Sequence, residues 1–271
     1  MTPASIQVAL FLSFAFALMT PVIAPAQEAA KSPIEITAEG GIEWDRNART
    51  YTARGAAEAR RGDLSIAADT LIAHYRDGAT SGSEIYRLEA VGHVRLVSAS
   101  AVVTGDHADY DVVSRTMTVT GSALKLETET DVLTARDRLE YSDNPRQASA
   151  YGAVTVVRED RRLDAEQVVA TLARDSAGKL AITKVEATGN VRIATPRQYV
   201  RADSGTYDVE KEFAVLIGGV KVTQDQNQLN GEYAEVDMKA GVSRLLGAPP
   251  GVEGGRVKGL VLPGAAPEPG G

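Results

Sequence analysis

LEAVGHVRLVSASAVVTGDHADYDV (Leu88–Val112) and VEATGNVRIATPRQYVRADSGTYDV (Val185–Val209) are one pattern written twice. Both carry Glu-Ala-x-Gly-x-Val-Arg, and both close on Tyr-Asp-Val. Around each glycine, apolar and small residues alternate with polar ones. Leu88, Ala90, Gly92, Val94 and Leu96 fall on one parity, with His93 and Arg95 between them. Period two is the mark of a half-buried strand with one face inward.

The pattern runs along most of the chain. Its anchors are Gly55, Gly92, Gly121, Gly152, Gly189 and Gly218. Eleven residues after each stands an apolar residue: Ile66, Val103, Val132, Leu163, Val200, Leu229. Thirteen residues after comes a small or modest one. An acid follows it in five of the six units: Asp69, Asp106, Glu166, Asp203 and Glu232, with Ala135 the exception. Positions plus 18 and plus 20 are apolar or aromatic throughout, as in Tyr110/Val112 and Tyr207/Val209. The anchors 55, 92 and 121 recur at 152, 189 and 218, each displaced by 97, so a three-unit block is duplicated in tandem. ITAEGGIEW (Ile36–Trp44) and LTARDRLEY (Leu133–Tyr141) extend the echo upstream.

Each unit reads as two strands joined by a polar turn such as Arg61-Gly62-Asp63 or Thr195-Pro196. Inward positions are odd at plus 11 and plus 13 but even at plus 18 and plus 20. A strand holds one face through that change only with a residue inserted, so a β-bulge is expected at or just after the small–acidic pair. The acids at plus 14 are expected to bond backbone at these bulges. The recurring inward glycine marks a kink or a close approach of backbone or ligand. Between Ile34 and Leu246 about fourteen short strands are predicted, in an all-β, antiparallel, up-and-down or jelly-roll-like arrangement.

The first residues belong to a different class. Ile6–Ala24 is almost wholly apolar and meets Ala24-Pro25-Ala26 before Gln27. An apolar run followed by small residues at minus three and minus one is the form of a cleavable secretory signal, residues 1–26, which implies export. The remaining 27–271, about 245 residues, can bury about 70–75% of their unfolded surface. With no Cys, they do so without disulfides. Residues 27–246 form the β domain. The Pro/Gly-rich tail, 247–271, is expected to be disordered, with one apolar spot at Val257–Leu262 able to dock. The net charge of −7 argues against a nucleic-acid or an anionic-membrane partner held by bulk charge.

Catalytic signatures are missing. The chain has no nucleophile elbow and no phosphate loop, and it reads as a non-enzyme with no cofactor. Gly105–Asp111 (GDHADYD) gathers a His and three Asp, but its twin Ala202–Asp208 (ADSGTYD) has no His. A solvated strand face, not a metal site, is expected there. The inward parity selects Val94, Leu96, Val154, Val156, Val191, Ile193, Val220 and Val222, interleaved with many inward Ala and Gly. Such a lining permits an apolar slot between sheet faces. The first strand, with Ile34 and Ile36, and the last, with Val242 and Leu246, are expected to be unpaired edges open to another sheet.

The distributed pattern Ala-x-Gly-x-Val, polar turn, apolar-x-(Ala/Gly)-(Asp/Glu) and aromatic-Asp resembles the OstA-like repeats of the LptA family of periplasmic lipopolysaccharide-transport proteins. The resemblance implies a twisted β-jelly-roll whose interior, here the eight residues above, takes lipid A acyl chains. It also implies head-to-tail self-association and bridging between LptC-like inner-membrane and LptD-like outer-membrane proteins. Transfer of apolar surface supports the need for shielding: a twelve-carbon chain in water costs about 10 kcal/mol at about 0.8 kcal/mol per CH₂. Three other readings stay open. They are an anchored LptC-like component, an outer-membrane barrel, and a ligand-free structural repeat protein of the cell envelope.

Overall fold

Alternation at period two forces strands, and strands must find partners for their backbone groups. In the computed structural model, which describes residues 34–77, 83–175, 178 and 180–260, those residues form strands and connections with no helix. The first half holds β1 (Glu35–Thr37), β2 (Ile42–Asp45), β3 (Thr50–Arg61), β4 (Leu64–Asp77), β5 (Ser83–Val97), β6 (Val102–Asp111), β7 (Thr116–Thr120), β8 (Leu124–Glu127) and β9 (Val132–Ala135). The second half holds β10 (Arg138–Asp143), β11 (Arg146–Arg158), β12 (Arg161–Arg174), β13 (Leu180–Ala194), β14 (Gln198–Asp208), β15 (Phe213–Gln224), β16 (Asn227–Asp237), β17 (Val242–Leu246) and β18 (Lys258–Leu260). The expected leader, 1–26, lies outside the described residues.

All pairings are antiparallel between chain neighbours or near neighbours, giving one jelly-roll-like meander. The sequence predicted about fourteen short strands, and the described residues hold eighteen, several of them 12 to 15 residues long. The numbers reconcile through the pairing. Four rungs of the sheet are each broken in two: β1/β2 along β3, β7/β8 along β6, β9/β10 along β11, and β17/β18 along β16. Fourteen rungs with four broken make eighteen strands. Residues 258–260, inside the tail expected to be disordered, pair with Asn230–Gln228 and complete the last rung. Polypeptide alone does not show this, because three residues of strand carry no period.

Every rung has two arms that meet at the glycine. Between β13 and β14, Thr188 faces Ser204 and Val191 faces Ala202, so Gly189 and Asn190 together oppose Asp203. The bulge therefore lies at the level of the acid, as expected, but the extra residue is on the glycine strand. The acid strand changes face opposite it: Ala202 is buried, Asp203 exposed, and Tyr207 buried. Five of these bulges place both residues in the left-handed region, as at Gly218 (φ 83°) and Gly219 (φ 50°). A bulge bends the strand and increases its twist, which is how a long strand contributes to a curled sheet.

The two ends of the rungs are closed by different chemistry. At one end an aspartate caps the turn. Asp111 Oδ1 accepts from the Val113 and Ser114 amides at 2.9 and 2.7 Å. Asp45, Asp208 and Asp237 make the same kind of contact with Ala48, Lys211 and Ala240 at 2.9, 3.0 and 2.8 Å. The Tyr-Asp ending of the repeat is thus an inward aromatic followed by a turn cap. At the other end a hydroxyl caps a four-residue turn: Ser98, Thr128 and Thr195 accept from the amides of Ala101, Asp131 and Gln198 at 3.1, 2.9 and 3.0 Å. There Asp131, 2% exposed, receives two bonds from Arg158 at 2.8 and 2.6 Å.

The inward faces of both arms meet in one cluster of Ala, Val, Leu and Ile running from β4 to β16. Ala57, Ala214 and Val220 are fully enclosed. Among the described residues no helix is long and apolar enough to cross a membrane.

Gly218→Ala should destabilise the domain by about 1–3 kcal/mol, since a left-handed φ costs an L-residue about that much and the added Cβ runs into the Asp203 carboxylate. Gly62→Ala, also left-handed but with nothing within 4 Å, should cost less. Urea unfolding followed by circular dichroism compares the two.

Candidate functional site

Two features can do chemistry with a partner: the aliphatic interior and the ends of the sheet. All eight residues selected by parity are buried. Val220 is 0%, Val94 and Val154 1%, Val191 2%, Val156 and Ile193 4%, and Leu96 and Val222 6% exposed. They lie together in the arms that lead to the hydroxyl-capped turns. Their outward neighbours differ as alternation demands: Arg192 is exposed, and Thr155 donates to Asp164 at 2.7 Å.

The interior has more members than parity from the glycine selects. Leu163, Val200, Leu216, Tyr207 and Val236 are buried beside the eight. Four of these stand at the plus 11 and plus 18 positions, so the repeat carried the signal. The unit anchored at Gly121 is different. Its buried residue is Leu124, three after the glycine, where the other units bury the residue two after. Gly121 has φ 158° and is followed by a turn instead of a paired left-handed bulge, which moves the register by one.

Small clefts remain in this packing. One of about 50 Å³ lies among Leu216, Val222, Leu229, Val236 and Leu245, and one of about 30 Å³ among Leu163, Val191, Ile193, Tyr207 and Leu216. Ligand pockets for small molecules run to roughly 300 Å³ and above. An acyl chain therefore enters this interior only if the facing arms part. The cluster is built mostly of Val, Leu, Ile and Ala, with Tyr207 its one aromatic among the described residues, and such side chains resist that less than interlocked aromatics.

Outside, the acids at plus 14 stand in file along the corner where the arms meet. Asp106 accepts from the Ser122 amide at 2.7 Å, which holds its carboxyl below the usual carboxylate range. Glu232 accepts from the Gly219 amide at 3.1 Å. The Glu232 contact is of the kind the sequence suggested at the bulges, and the Asp106 contact is made to the turn after Gly121 that stands in a bulge's place. The unit lacking an acid at plus 14 recovers one: Asp137, not Ala135, packs against Gly152. Asp69 instead bonds His93 at 2.9 Å, and this bond and its charge raise the imidazole pKa. His107 of the GDHADYD stretch lies 3.8 Å from Glu89, and His74 approaches the same carboxylate at 2.9 Å without hydrogen-bond alignment. Among the described residues no three metal-type side chains gather as a metal site.

The ends of the sheet carry exposed apolar side chains. On the first edge Ile34 is 49%, Ile36 42%, Ile42 56% and Trp44 51% exposed. Ile36 pairs with Ala59 on one side. On the last edge Val242 is 45% exposed and Leu246 half-buried, both paired to β16. That edge also includes β18, which the sequence did not assign to it.

The family model described as LptA/(LptD N-terminal domain) LPS transport protein matches this chain twice, over residues 35–137 and 133–242. The two matches begin 98 residues apart (133 − 35), the step of the internal duplication to within one residue. No curated protein matches the chain. Among solved structures, LptH of Pseudomonas aeruginosa, described as the LptA homologous periplasmic component of the conserved lipopolysaccharide transport device, is 12% identical over 86% of this chain and 97% of that one. Its TM-score is 0.22.

The His93–Asp69 pair gives a signed pH prediction. A raised folded pKa means the pair stabilises the fold fully below the unfolded histidine value and loses that contribution as pH rises through the folded value. Proton NMR should find His93 titrating above an ordinary histidine, and Asp69→Asn should return it to the ordinary range. A His93 that ignores the substitution would contradict the assignment.

Proposed function

Because the chain belongs to the LptA/LptD N-terminal-domain family of lipopolysaccharide-transport proteins, we propose that it is an exported, non-enzymatic carrier in the periplasm. Its interior shields lipid A acyl chains, and its sheet edges join LptC-like and LptD-like components or further copies of itself. The observation that carries this reading is the burial of all eight parity-selected aliphatic residues on one continuous inner face, in a sheet that ends in open edges.

The energetics run in the same direction. Each CH₂ taken from water gains about 0.8 kcal/mol, enough for an acyl chain to compete with the contacts it displaces between facing arms. The outward charges keep the loaded carrier in water. Edge strands offer backbone donors and acceptors to a second sheet, and such a contact joins unlike ends, so it extends without closing. The reading as a ligand-free structural repeat differs in one respect only: its interior never opens.

A photo-crosslinking residue at Val191 or Val154 should capture lipopolysaccharide in Gram-negative cells, and one at Arg192 or Thr155 should not. Equal capture at both parities, or capture at neither, would remove the carrier reading.

The edges are tested separately. Ile36→Lys with Ile42→Lys places charge on two exposed positions of the first edge and leaves the core untouched. Analytical ultracentrifugation should show loss of self-association and of binding to partner jelly-rolls, with crosslinking at Val191 retained. Unchanged association would exclude this edge from the joint.

A further inference from the structure

The outer face of β13–β16 and β18 carries a row that the inner face does not explain. Arg192 stands directly opposite Arg201, Arg201 opposite Lys221, Lys221 opposite Asn230, and Asn230 opposite Lys258. Residues directly opposite in an antiparallel pair share a face, with neighbouring strands roughly 4.8 Å apart. Like charges so placed repel and weaken the sheet. All four cations are exposed.

Their compensation is slight. Arg201 bonds the Tyr199 hydroxyl at 3.1 Å and lies over that ring at 5.3 Å. No carboxylate lies within ion-pair distance of Arg192, Arg201, Lys221 or Lys258 among the described residues, whereas most cations elsewhere on the surface have one. Asp164 opposes Arg192 but is held by Arg162 at 2.6 Å. The adjoining row towards the hydroxyl-capped turns, Ala194, Tyr199, Thr223, Gln228 and Leu260, contains no charge. Acids return only at the corner, with Asp203 and Glu232. The patch therefore combines cations without an ion-pair partner, an aromatic ring and, at its edge, Leu260 at 60% exposure. The corresponding row of the first block is Arg95, Thr104 and Lys125: Thr104 stands 97 residues before Arg201 and separates the two cations, and Lys125 is held by Glu127 at 2.5 Å.

We infer that this face of the second block docks on an anionic phospholipid surface, with Arg192, Arg201, Lys221 and Lys258 on the phosphates and Tyr199 and Leu260 in the headgroup layer. The four cations stand exposed in one row across five strands, so a surface of phosphates is the complement of the row. Cations attract an anionic leaflet within a Debye length, and neighbouring aromatic and apolar side chains hold the contact once made. The acidic remainder of the chain is repelled by the same leaflet, which orients the molecule with this face down.

The inference is independent of what the interior binds. Val191, Ile193, Val200 and Val220 lie on the far side of these strands, so a lipid held inside cannot present its headgroup to the row. Flotation of the full chain with phosphatidylglycerol–phosphatidylcholine vesicles at low salt should recover bound protein, and pure phosphatidylcholine vesicles should not. The variant Arg192→Gln/Arg201→Gln/Lys221→Gln should lose at least roughly tenfold in binding. Arg54→Gln/Arg60→Gln/Arg76→Gln, which removes three cations from the first block, should keep parental binding. Failure of the parent to float, or equal flotation of the Arg192 variant, would overturn the inference. So would saturable calorimetric binding of inorganic phosphate without vesicle binding, which would make the ligand a free anion. No lipopolysaccharide is present in this experiment, so its failure leaves the crosslinking result at Val191 standing, and the converse holds.

Discussion

A strand that must bend and still keep its apolar side chains on one face is the constraint on which this molecule rests. Strict alternation carries a straight strand. It fails at a corner, where twist rotates the face away. The chain solves this with two left-handed residues on one strand opposite a single acid on the next, as Gly189-Asn190 opposite Asp203. Glycine is the residue that takes this conformation without cost, and the acid that fills the space where its Cβ would be comes from the preceding strand, Glu166 at Gly189 and Asp203 at Gly218. Once the corner is fixed, both arms turn the same kind of residue inward, and the core becomes continuous across the bend.

Much of this was legible in the sequence. Parity gave the inward face of Val94, Leu96, Val191 and Ile193 because alternation is a local property of the chain. It also located the bulge, since a change of parity in the acid strand cannot be silent. Which strand holds the extra residue was not legible. Pairing decides it, and pairing is a relation between two segments that neither encodes alone. The same limit explains Leu124. Its unit has the glycine but lacks the second left-handed residue, so counting from the glycine lands one residue short. The four broken rungs are a third case. A break at Gly121 or at Arg136-Asp137 leaves the apolar pattern intact on either side and shows only in the hydrogen-bond ladder.

The acids illustrate how one position serves several partners. At plus 14 the sequence suggests a backbone acceptor, and Asp106 and Glu232 act as such. Asp69 serves a side chain instead, because the residue after its facing glycine is His93, whose ring reaches the carboxylate before the amide does. In the unit without an acid at plus 14, Asp137 arrives from two residues further along, where the rung is broken and the chain is free to fold back. What is retained through the repeat is an acid beside each corner glycine, not an acid at a fixed count.

Duplication left the two blocks alike inside and different outside. Val94 and Val191, Leu96 and Ile193, and Ala90 and Ala187 stand 97 apart, and all six are buried. The outer face obeys no such rule. All three histidines, His74, His93 and His107, are in the first block, and their counterparts are Thr171, Asn190 and Ser204. Packing explains the asymmetry. An interior side chain touches neighbours from both arms, so a change of volume there is felt by several residues at once. An outward side chain on a strand meets water and its cross-strand neighbours, and substitutions there usually change stability by no more than about 0.5 kcal/mol. A repeat protein of this kind can therefore hold one continuous interior along its whole length while each block acquires its own surface.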